Sequence, residues 1–235
     1  MPRRSLRCHL APALLALSLA PWQVTALELR PTTLLLKPGQ TQAELWLFNE
    51  APDPWQGRIQ IYRWHQSDGL DHLQASTAIV ASPALAHVPG GARQRIRLVL
   101  PAPLPGDGER AFRVLVEPVD PALPRYSLPL FVSTTSASRP LLGVRLARSI
   151  DAPCLQLDNP GSRRIRLTDL AFTDAAGRAT SIQPGLAGYV LPGASVCWPL
   201  PARTDGYDGG RFQARRDGAA ADDLGPIAAA TGPGL

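Results

Sequence analysis

The sequence predicts an all-β protein made of two β-sandwich domains. Short segments of alternating apolar and polar residues recur about every 8–12 residues, which is the strand spacing of sandwiches. Proline and glycine pairs separate many of these segments, and both residues favour turns for steric reasons. No long segment carries the 3.6-residue apolar period of a helix. We therefore expect sheets packed face to face and no helical layer.

The first 26 residues have the layout of a secretory signal peptide. Arg3, Arg4 and Arg7 precede an apolar run over residues 10–20, and small residues at 24–26 form an A-x-A-like cleavage site. The apolar run is too short to span a bilayer. We expect a mature chain that begins at residue 27, lies in the periplasm and does not insert into the membrane.

The net charge argues against nucleic acid as a partner. The full chain has a formal net charge of +5, and removal of the signal peptide takes away three arginines and no acid, which leaves +2. A nearly balanced mature protein lacks the basic excess that nucleic-acid binding requires.

Residues 27–133 are predicted to form an immunoglobulin-like domain, because seven strands fit into this length. The predicted strands are residues 27–36, 42–48, 56–64, 78–82, 94–100, 110–117 and 125–132. The Cys…Trp…Cys core of antibody domains is missing from this half, so a true antibody-type domain is disfavoured.

A second, smaller sandwich is predicted over residues 142–217, after a small polar linker at 134–141. Its predicted strands are residues 142–147, 154–159, 163–172, 188–191, 196–200 and 210–215. Residues 218–235 are rich in Ala, Gly, Pro and Asp, and such a tail buries too little apolar surface to offset its ordering entropy. We expect it to be disordered.

Two cysteines remain after Cys8 leaves with the signal peptide. Cys154 and Cys197 form an even pair in an oxidising compartment, which predicts a disulfide. Such a bridge would stabilise the second domain by roughly 4 kcal/mol in the chain-entropy model. Two free buried thiols are the alternative.

Motifs of catalysis are absent: there is no G-x-S-x-G, H-E-x-x-H, Cys-x-x-Cys or P-loop. His65, Asp68, Asp71 and His72 are of residue types that bind divalent ions, but the segment after Trp64 fits a polar loop better. We therefore predict neither an enzyme nor a resident metal or cofactor.

A calcium-binding turn is the second metal hypothesis, at Asp205 and Asp208 among glycines. The remaining ligands of a full calcium loop are missing from the spacing, so a plain hairpin turn is favoured.

The last strand of the first domain carries an apolar row at period two, made of Tyr126, Leu128, Leu130 and Val132. Pro129 supplies no N–H and is tolerated best on an edge strand. Apolar edges promote aggregation, so this strand suggests pairing with a partner chain by β-augmentation. The other interpretation is that the row fills the domain's own core.

Several stretches together carry a resemblance to a known family. They are residues 30–39 (RPTTLLLKPG), 45–49 (LWLFN), 82–83 (SP), 88–98 (VPGGARQRIRL), 111–116 (AFRVLV), 128–132 (LPLFV), 155–161 (LQLDNPG) and 188–193 (GYVLPG). In this order and spacing they resemble the periplasmic chaperones that assemble pili in the chaperone–usher pathway. Trp64 and the Pro-Leu-Phe strand suggest the archaic branch of that family.

The resemblance implies a boomerang of two immunoglobulin-like domains with a cleft between them. It also implies that the protein lends the last strand of its first domain to pilin-like subunits that lack their final strand, and releases them at an outer-membrane usher. The expected donor-strand residues are Tyr126, Leu128, Leu130 and Val132.

One departure from the family concerns the subunit's terminal carboxylate, which an Arg and a Lys anchor in the better-known branch. Thr33 and Pro129 stand at those two positions here. Arg30, Arg113 and Arg125 are nearby substitutes, since arginine binds a carboxylate bidentately. Arg113 is the best of them, because it lies within the matching Phe-Arg-Val strand. The alternative for each is an ordinary solvent-facing arginine.

Two further functional hypotheses compete with a chaperone. A secreted structural or adhesive subunit should begin with an extension of alternating apolar residues, whereas the mature chain enters a strand almost at once. A carbohydrate-binding or hydrolytic protein needs an aromatic platform, but Trp46, Trp55, Trp64 and Trp198 are scattered along the chain. Packing explains them better.

Overall fold

The computed structural model describes residues 27–134, 142–148 and 153–224, which form strands joined by turns. The predicted signal peptide, most of the predicted linker and residues 225–235 lie outside the described residues. The predicted all-β fold of two sandwiches is confirmed. Among the described residues, no helix has the length and apolar character needed to cross a membrane.

The first domain contains ten strands in two sheets. They are β1 (Glu28–Arg30), β2 (Leu34–Leu36), β3 (Gln42–Phe48), β4 (Trp55–Ser67), β5 (Leu70–Ala75), β6 (Val80–Ser82), β7 (Leu85–Val88), β8 (Arg93–Val99), β9 (Glu109–Pro118) and β10 (Tyr126–Ser133). One sheet has the order β1-β3-β8-β6, and the other has the order β2-β10-β9-β4-β5 with β7 also paired to β4. The inward row of each sheet forms the core, as Leu45 and Leu47 of β3 do.

The strand predicted over residues 27–36 is in fact two strands in two sheets. β1 pairs antiparallel with β3, whereas β2 pairs parallel with β10. Pro31 lies between them and has no N–H to continue a ladder, so the chain crosses from one sheet to the other over residues 31–33. The crossing brings Thr33 to the start of the segment that pairs with β10.

A hairpin replaces the polar loop predicted after Trp64. β4 continues to Ser67 and β5 begins at Leu70, which leaves a two-residue turn of Asp68 and Gly69. Their φ values are 53° and 76°. Positive φ at both positions is the type I′ turn that Asp-Gly favours, so the loop prediction is wrong.

The candidate metal residues lie on this hairpin. His65 and His72 are cross-strand partners, and their stacked rings lie 5.2 Å apart. The part of the chain that the structure describes contains no group of three or more His, Cys, Asp or Glu side chains arranged to hold a metal ion.

The described residues of the second domain form seven strands in two sheets. They are β11 (Gly143–Arg148), β12 (Pro153–Asn159), β13 (Ile165–Thr173), β14 (Ala179–Val190), β15 (Ala194–Pro199), β16 (Arg211–Arg216) and β17 (Ala221–Asp223). The sheets have the orders β11-β12-β15 and β14-β13-β16-β17, and Phe172 and Phe212 are fully buried in the core. The predicted Cys154–Cys197 disulfide is confirmed and links β12 to β15.

The glycine-rich segment at residues 204–209 is a turn. Arg203 Nε and Nη2 donate to Asp205 Oδ1 and Oδ2 at 2.8 and 2.6 Å. This bidentate pairing lowers the pKa of Asp205 to about 2. The segment joins β15 to β16, which belong to different sheets, so it is a plain turn but not the hairpin turn that was predicted.

Part of the segment that was predicted to be a disordered tail is folded. Residues 221–223 form β17, which pairs antiparallel with β16, and the Leu224 side chain is buried in the second core. The prediction of disorder from residue 218 is wrong for this part, because Leu224 supplies apolar surface to the core.

Candidate functional site

The apolar row of β10 is buried in the first domain. Leu128, Leu130 and Val132 are 8%, 0% and 3% exposed, and Tyr126 packs against the same core. Because β10 pairs with β9 from Tyr126 to Ser133, this row faces the sandwich interior beside the inward row of β9. These side chains are therefore covered in the free protein, as the interpretation of the row as core residues predicts, and the donor-strand role of the row stays a prediction.

The backbone of β10 nevertheless has an open side. β2 pairs with β10 only over Leu130–Val132, and no other strand of the described ranges lies beside the preceding residues on that side. Tyr126 to Pro129 are thus hydrogen-bonded to β9 on one side alone. Pro129 fits this position, since proline has no N–H to donate.

A cleft of about 570 Å³ adjoins this open side and is bounded by both domains. The first domain contributes Thr32, Thr33, Trp64, Gln66, Gly69, Leu70, Asp71, Arg113, Ser127 and Pro129. The second contributes Arg166, Leu186, Ala187, Gly188, Tyr189, Val196, Cys197, Trp198 and Pro199. Thr33 and Pro129, which stand at the two basic positions of the family that the sequence resembles, both line this cleft, and neither carries a charge.

Arg113 is the cation of the first domain in the cleft. Its guanidinium carbon lies 3.8 Å from the centre of the Trp64 ring, and Nη2 lies 3.9 Å from Asp71 Oδ2. Burial lowers the pKa of Arg113, because the loss of water outweighs the attraction of Asp71. Trp64 is itself buried, and its Nε1–H has no acceptor within the described parts of the chain. The Arg113 guanidinium and the Trp64 Nε1–H are therefore hydrogen-bond donors that the acceptors of the described residues do not fully satisfy.

The other two predicted anchors do not reach the cleft. Arg30 forms an ion pair with Glu28 at 2.6 Å and packs over the Phe48 ring on the opposite sheet. Arg125 is largely exposed and lies 3.7 Å from Glu117. Of the three arginines, the structure brings only Arg113 together with Thr33 and Pro129.

Sequence reasoning missed Arg166, the second cation of the cleft. It lies on β13 between Ile165 and Leu167, which are buried, so the period-two alternation turns Arg166 away from the second core. In the described ranges, no ion pair joins the Arg166 guanidinium to an acid. The alternation around Arg166 indicated an outward side chain, but only the packing of the two domains places it in the cleft.

Comparison with protein families gives a match over residues 26–133. The matching family is described as "Pili and flagellar-assembly chaperone, PapD N-terminal domain". The first domain belongs to this family. The resemblance drawn from the sequence is thereby confirmed, and the family is one of chaperones. A comparison with curated protein sequences finds no significant match.

Solved structures of similar fold cover both domains. A complex of the chaperone CsuC with the tip subunit CsuE, from the archaic Csu pili of Acinetobacter baumannii, is 19% identical, with a TM-score of 0.70 over 85% of this chain and 98% of that chain. The YadV chaperone is 17% identical, with a TM-score of 0.65 over 85% and 98% of the two chains. A complex of the Salmonella enterica SafA pilin with the SafB chaperone is 15% identical, with a TM-score of 0.57 over 85% of this chain and 94% of that chain. These likenesses show the fold.

Direct contacts join the PapD-type domain to the second domain. Gln66 Nε2 donates to the Tyr189 carbonyl at 2.9 Å, and the Leu191 N–H donates to Gln66 Oε1 at 2.8 Å. Trp64 and Phe131 pack against Tyr189, with ring centres 5.7 and 5.4 Å from it. Trp64 and Tyr189 also line the cleft, so this aromatic cluster forms part of its wall.

A buried ion pair lies beside this cluster. The Arg164 guanidinium of the second domain donates to Glu109 Oε2 of the PapD-type domain, and the Arg164 N–H donates to Oε1 at 3.1 Å. The guanidinium also lies over Phe131, 3.8 Å from the ring centre. Burial raises the pKa of Glu109, and Arg164 opposes that shift. The pair ties the ends of β9 and β13 together.

Replacement of Glu109 by glutamine is expected to lower the free energy of unfolding by about 2 kcal/mol, because it leaves the buried Arg164 cation without its counter-charge. Urea unfolding of the full chain measures the loss. Glu44→Gln is the matched control, since Glu44 pairs with Arg95 at 3.1 Å on an exposed surface and such pairs contribute under about 1 kcal/mol. Equal losses in the two variants would contradict the role given to burial.

Proposed function

We propose that the protein is a periplasmic chaperone that binds pilin-like subunits and delivers them to an outer-membrane usher. The observation that carries the proposal is the open side of β10 over Tyr126 to Pro129, which borders the cleft in a PapD-type domain. The signal peptide predicted over residues 1–26 supports a periplasmic location. The protein acts by binding alone, without catalysis or a cofactor.

The open side of β10 supports binding by strand addition. Unpaired N–H and C=O groups on one side of a strand accept a partner strand through ladder hydrogen bonds. Because the side chains of Leu128 and Leu130 are buried in the core, other residues make the apolar contacts to a subunit in this proposal. Val119, in the loop between β9 and β10, is 71% exposed and is one such residue.

The partners named in similar structures agree with this mode of action. CsuC is described in complex with a tip subunit of archaic pili, and SafB is described in complex with a pilin. By analogy, the partner of this chain is a pilin-like subunit, and the archaic branch is the one that the sequence suggested. The cleft beside β10 is where its strand and terminus enter.

Arg113 is the proposed anchor of the subunit's carboxylate. A carboxylate in the cleft supplies the counter-charge that Asp71, at 3.9 Å, gives only weakly. The carboxylate also replaces part of the solvation that the Arg113 guanidinium loses through burial. Neither Thr33 nor Pro129 supplies a positive charge at the family's usual positions.

Arg113→Gln is expected to lower subunit retention at least about tenfold, because one charged hydrogen bond is worth roughly 1.5–3 kcal/mol. The chain and candidate subunits are co-expressed in the periplasm, and the co-purifying complex is quantified. Arg125→Gln is the matched control, since it removes the same charge outside the cleft. A periplasmic β-sandwich protein of another family controls for non-specific retention.

Two outcomes would contradict the proposal in different ways. Equal retention by Arg113→Gln and the wild type would reject Arg113 as the anchor but leave strand addition standing. A folded wild-type chain that retains no subunit would reject the chaperone function, and the secreted two-sandwich structural protein would become the better explanation.

A further inference from the structure

We infer that His65 and His72 on the β4–β5 hairpin together bind one transition-metal ion, with Cu²⁺ as the ion held most tightly. Both histidines are ligands through their imidazole rings. The site holds an exchangeable ion and is separate from subunit binding, so it does not rest on the proposed function.

The two histidines face each other across the hairpin. His65 of β4 and His72 of β5 are direct cross-strand partners, and the Cβ atoms of such a pair lie about 5 Å apart. Their rings are stacked, with centres 5.2 Å apart and planes 19° from parallel. Because a metal–imidazole bond is about 2.0–2.1 Å long, two nitrogens on one ion lie about 3–4 Å apart. A small rotation of each ring about its own side-chain bonds brings two nitrogens to that separation.

A backbone carbonyl orients the His72 ring. His72 Nε2 lies 3.3 Å from the Ser67 carbonyl oxygen. Since a carbonyl oxygen only accepts, Nε2 carries the hydrogen of this bond, and the neutral ring then has its lone pair on Nδ1. Histidines that bind metals commonly donate their other ring N–H to a carbonyl in this way, which fixes the tautomer. The turn therefore presents Nδ1 of His72 as a metal ligand.

Both rings are open to an incoming ion. His65 is exposed and His72 is half-buried. Within the described ranges, the His65 ring forms no hydrogen bond or ion pair, and its ring contact is with His72. An ion thus reaches both imidazoles without breaking an existing ion pair.

The ligand set selects the class of ion. Asp71, the acid next to His72 in sequence, lines the cleft and accepts from Gln66 Nε2 through Oδ1 at 2.9 Å. No third His, Cys, Asp or Glu joins the pair in the part of the chain that the structure describes. Imidazole suits Cu²⁺, Ni²⁺ and Zn²⁺, whereas Mg²⁺ prefers oxygen ligands. The Irving–Williams order places Cu²⁺ first among these ions, and water fills its remaining positions.

The hairpin that carries the site also forms part of the cleft wall. Gly69 at its turn makes a β-bridge with Val196 of the second domain, and Leu70 and Asp71 line the cleft. An ion bound to both β4 and β5 opposes separation of these strands, because separation would break a metal–nitrogen bond. Metal binding is therefore expected to slow hydrogen exchange of the hairpin amides.

The test titrates Cu²⁺ into the full chain, purified from the periplasm and stripped of metal with a chelator. Isothermal titration calorimetry is expected to show one tightly bound ion per chain. Its affinity should be at least about tenfold higher than in His65→Gln or His72→Gln, because the second imidazole is an intramolecular ligand. Electron paramagnetic resonance should show coupling to two nitrogens. Zn²⁺ should bind more weakly than Cu²⁺, and Mg²⁺ should not bind.

His87→Gln is the matched control. His87 is exposed on β7, outside the hairpin, and is the one further histidine of the predicted mature chain. This variant should bind Cu²⁺ as the wild type does and show the same slowing of hairpin hydrogen exchange, measured by mass spectrometry with Zn²⁺. Because His65 and His72 lie outside the buried cores of the described residues, their variants should stay folded, which thermal unfolding checks.

The inference is overturned if His65→Gln and His72→Gln both bind Cu²⁺ as tightly as the wild type, since the binding would then be an adventitious ion only. Loss of affinity in just one of the two variants overturns it as well, because a single imidazole would then hold the ion. An equal loss in His87→Gln also rejects a paired site. None of these results bears on the chaperone function, which is tested with subunits.

Discussion

Leu130→Glu is expected to unfold the first domain. Leu130 is fully buried between β9 and β2 in the core, so glutamate at this position places a carboxylate where the described structure offers no positive partner. Burial of an unpaired charge, together with the lost leucine packing, is expected to cost more than about 4 kcal/mol. Urea unfolding followed by circular dichroism measures this loss directly.

Ser127→Glu is the matched control for this variant. Ser127 lies on the same strand, faces the cleft and is exposed, so the same charge is added without burial. It is expected to keep wild-type stability and to change only subunit retention. If Leu130→Glu instead melts like the wild type and loses subunit binding alone, Leu130 is a donor side chain and its place in the core is wrong.

Loss of the disulfide has the second largest expected effect. Replacement of both Cys154 and Cys197 by alanine is expected to lower the free energy of unfolding of the second domain by about 4 kcal/mol, since the bridge closes a loop with a sequence separation of 43. Without the bridge, the unfolded chain regains the conformational entropy that closure of this loop removes. Guanidinium unfolding of the full chain, with the two domains followed by separate tryptophan probes, measures the change.

The reduced wild type serves as the comparison for the alanine variant. Both lack the bridge, so both are expected to unfold at the same denaturant concentration, below that of the oxidised protein. A loss under about 1 kcal/mol in both would mean that the unbridged chain keeps residual structure around β12 and β15. The entropic account of the bridge would then be wrong.

Much of the fold could be predicted because strand formation follows the local alternation of apolar and polar residues. The predicted strand at residues 42–48 is the observed β3, in which Leu45 and Leu47 alternate with outward residues. The β4–β5 hairpin was missed, although Asp68-Gly69 is a strong hairpin signal. The polar residues that follow Trp64 hid it, because this hairpin projects beyond the first core and needs no alternating apolar face.

The candidate site could be predicted only in part. Arg113 was identified from its motif, and it does lie in the cleft beside Thr33 and Pro129. Arg166 lies 53 positions further along the chain and in another domain, so no local pattern connects it with Arg113. Sites built from two domains depend on the domain contact, which here involves Gln66 and the Glu109–Arg164 pair.

By itself the sequence determined the all-β class, the family resemblance and the disulfide, since alternation, motif order and a single remaining cysteine pair are properties of the chain. Tertiary structure alone decided which face of β10 is covered. A row of apolar residues at period two has the same sequence pattern whether it faces a core or a partner. The alternation shows that the two faces of the strand differ, but it does not show what packs against each face. Pairing with β9 placed Leu128, Leu130 and Val132 in the core and left the backbone edge, instead of the side chains, open to a partner.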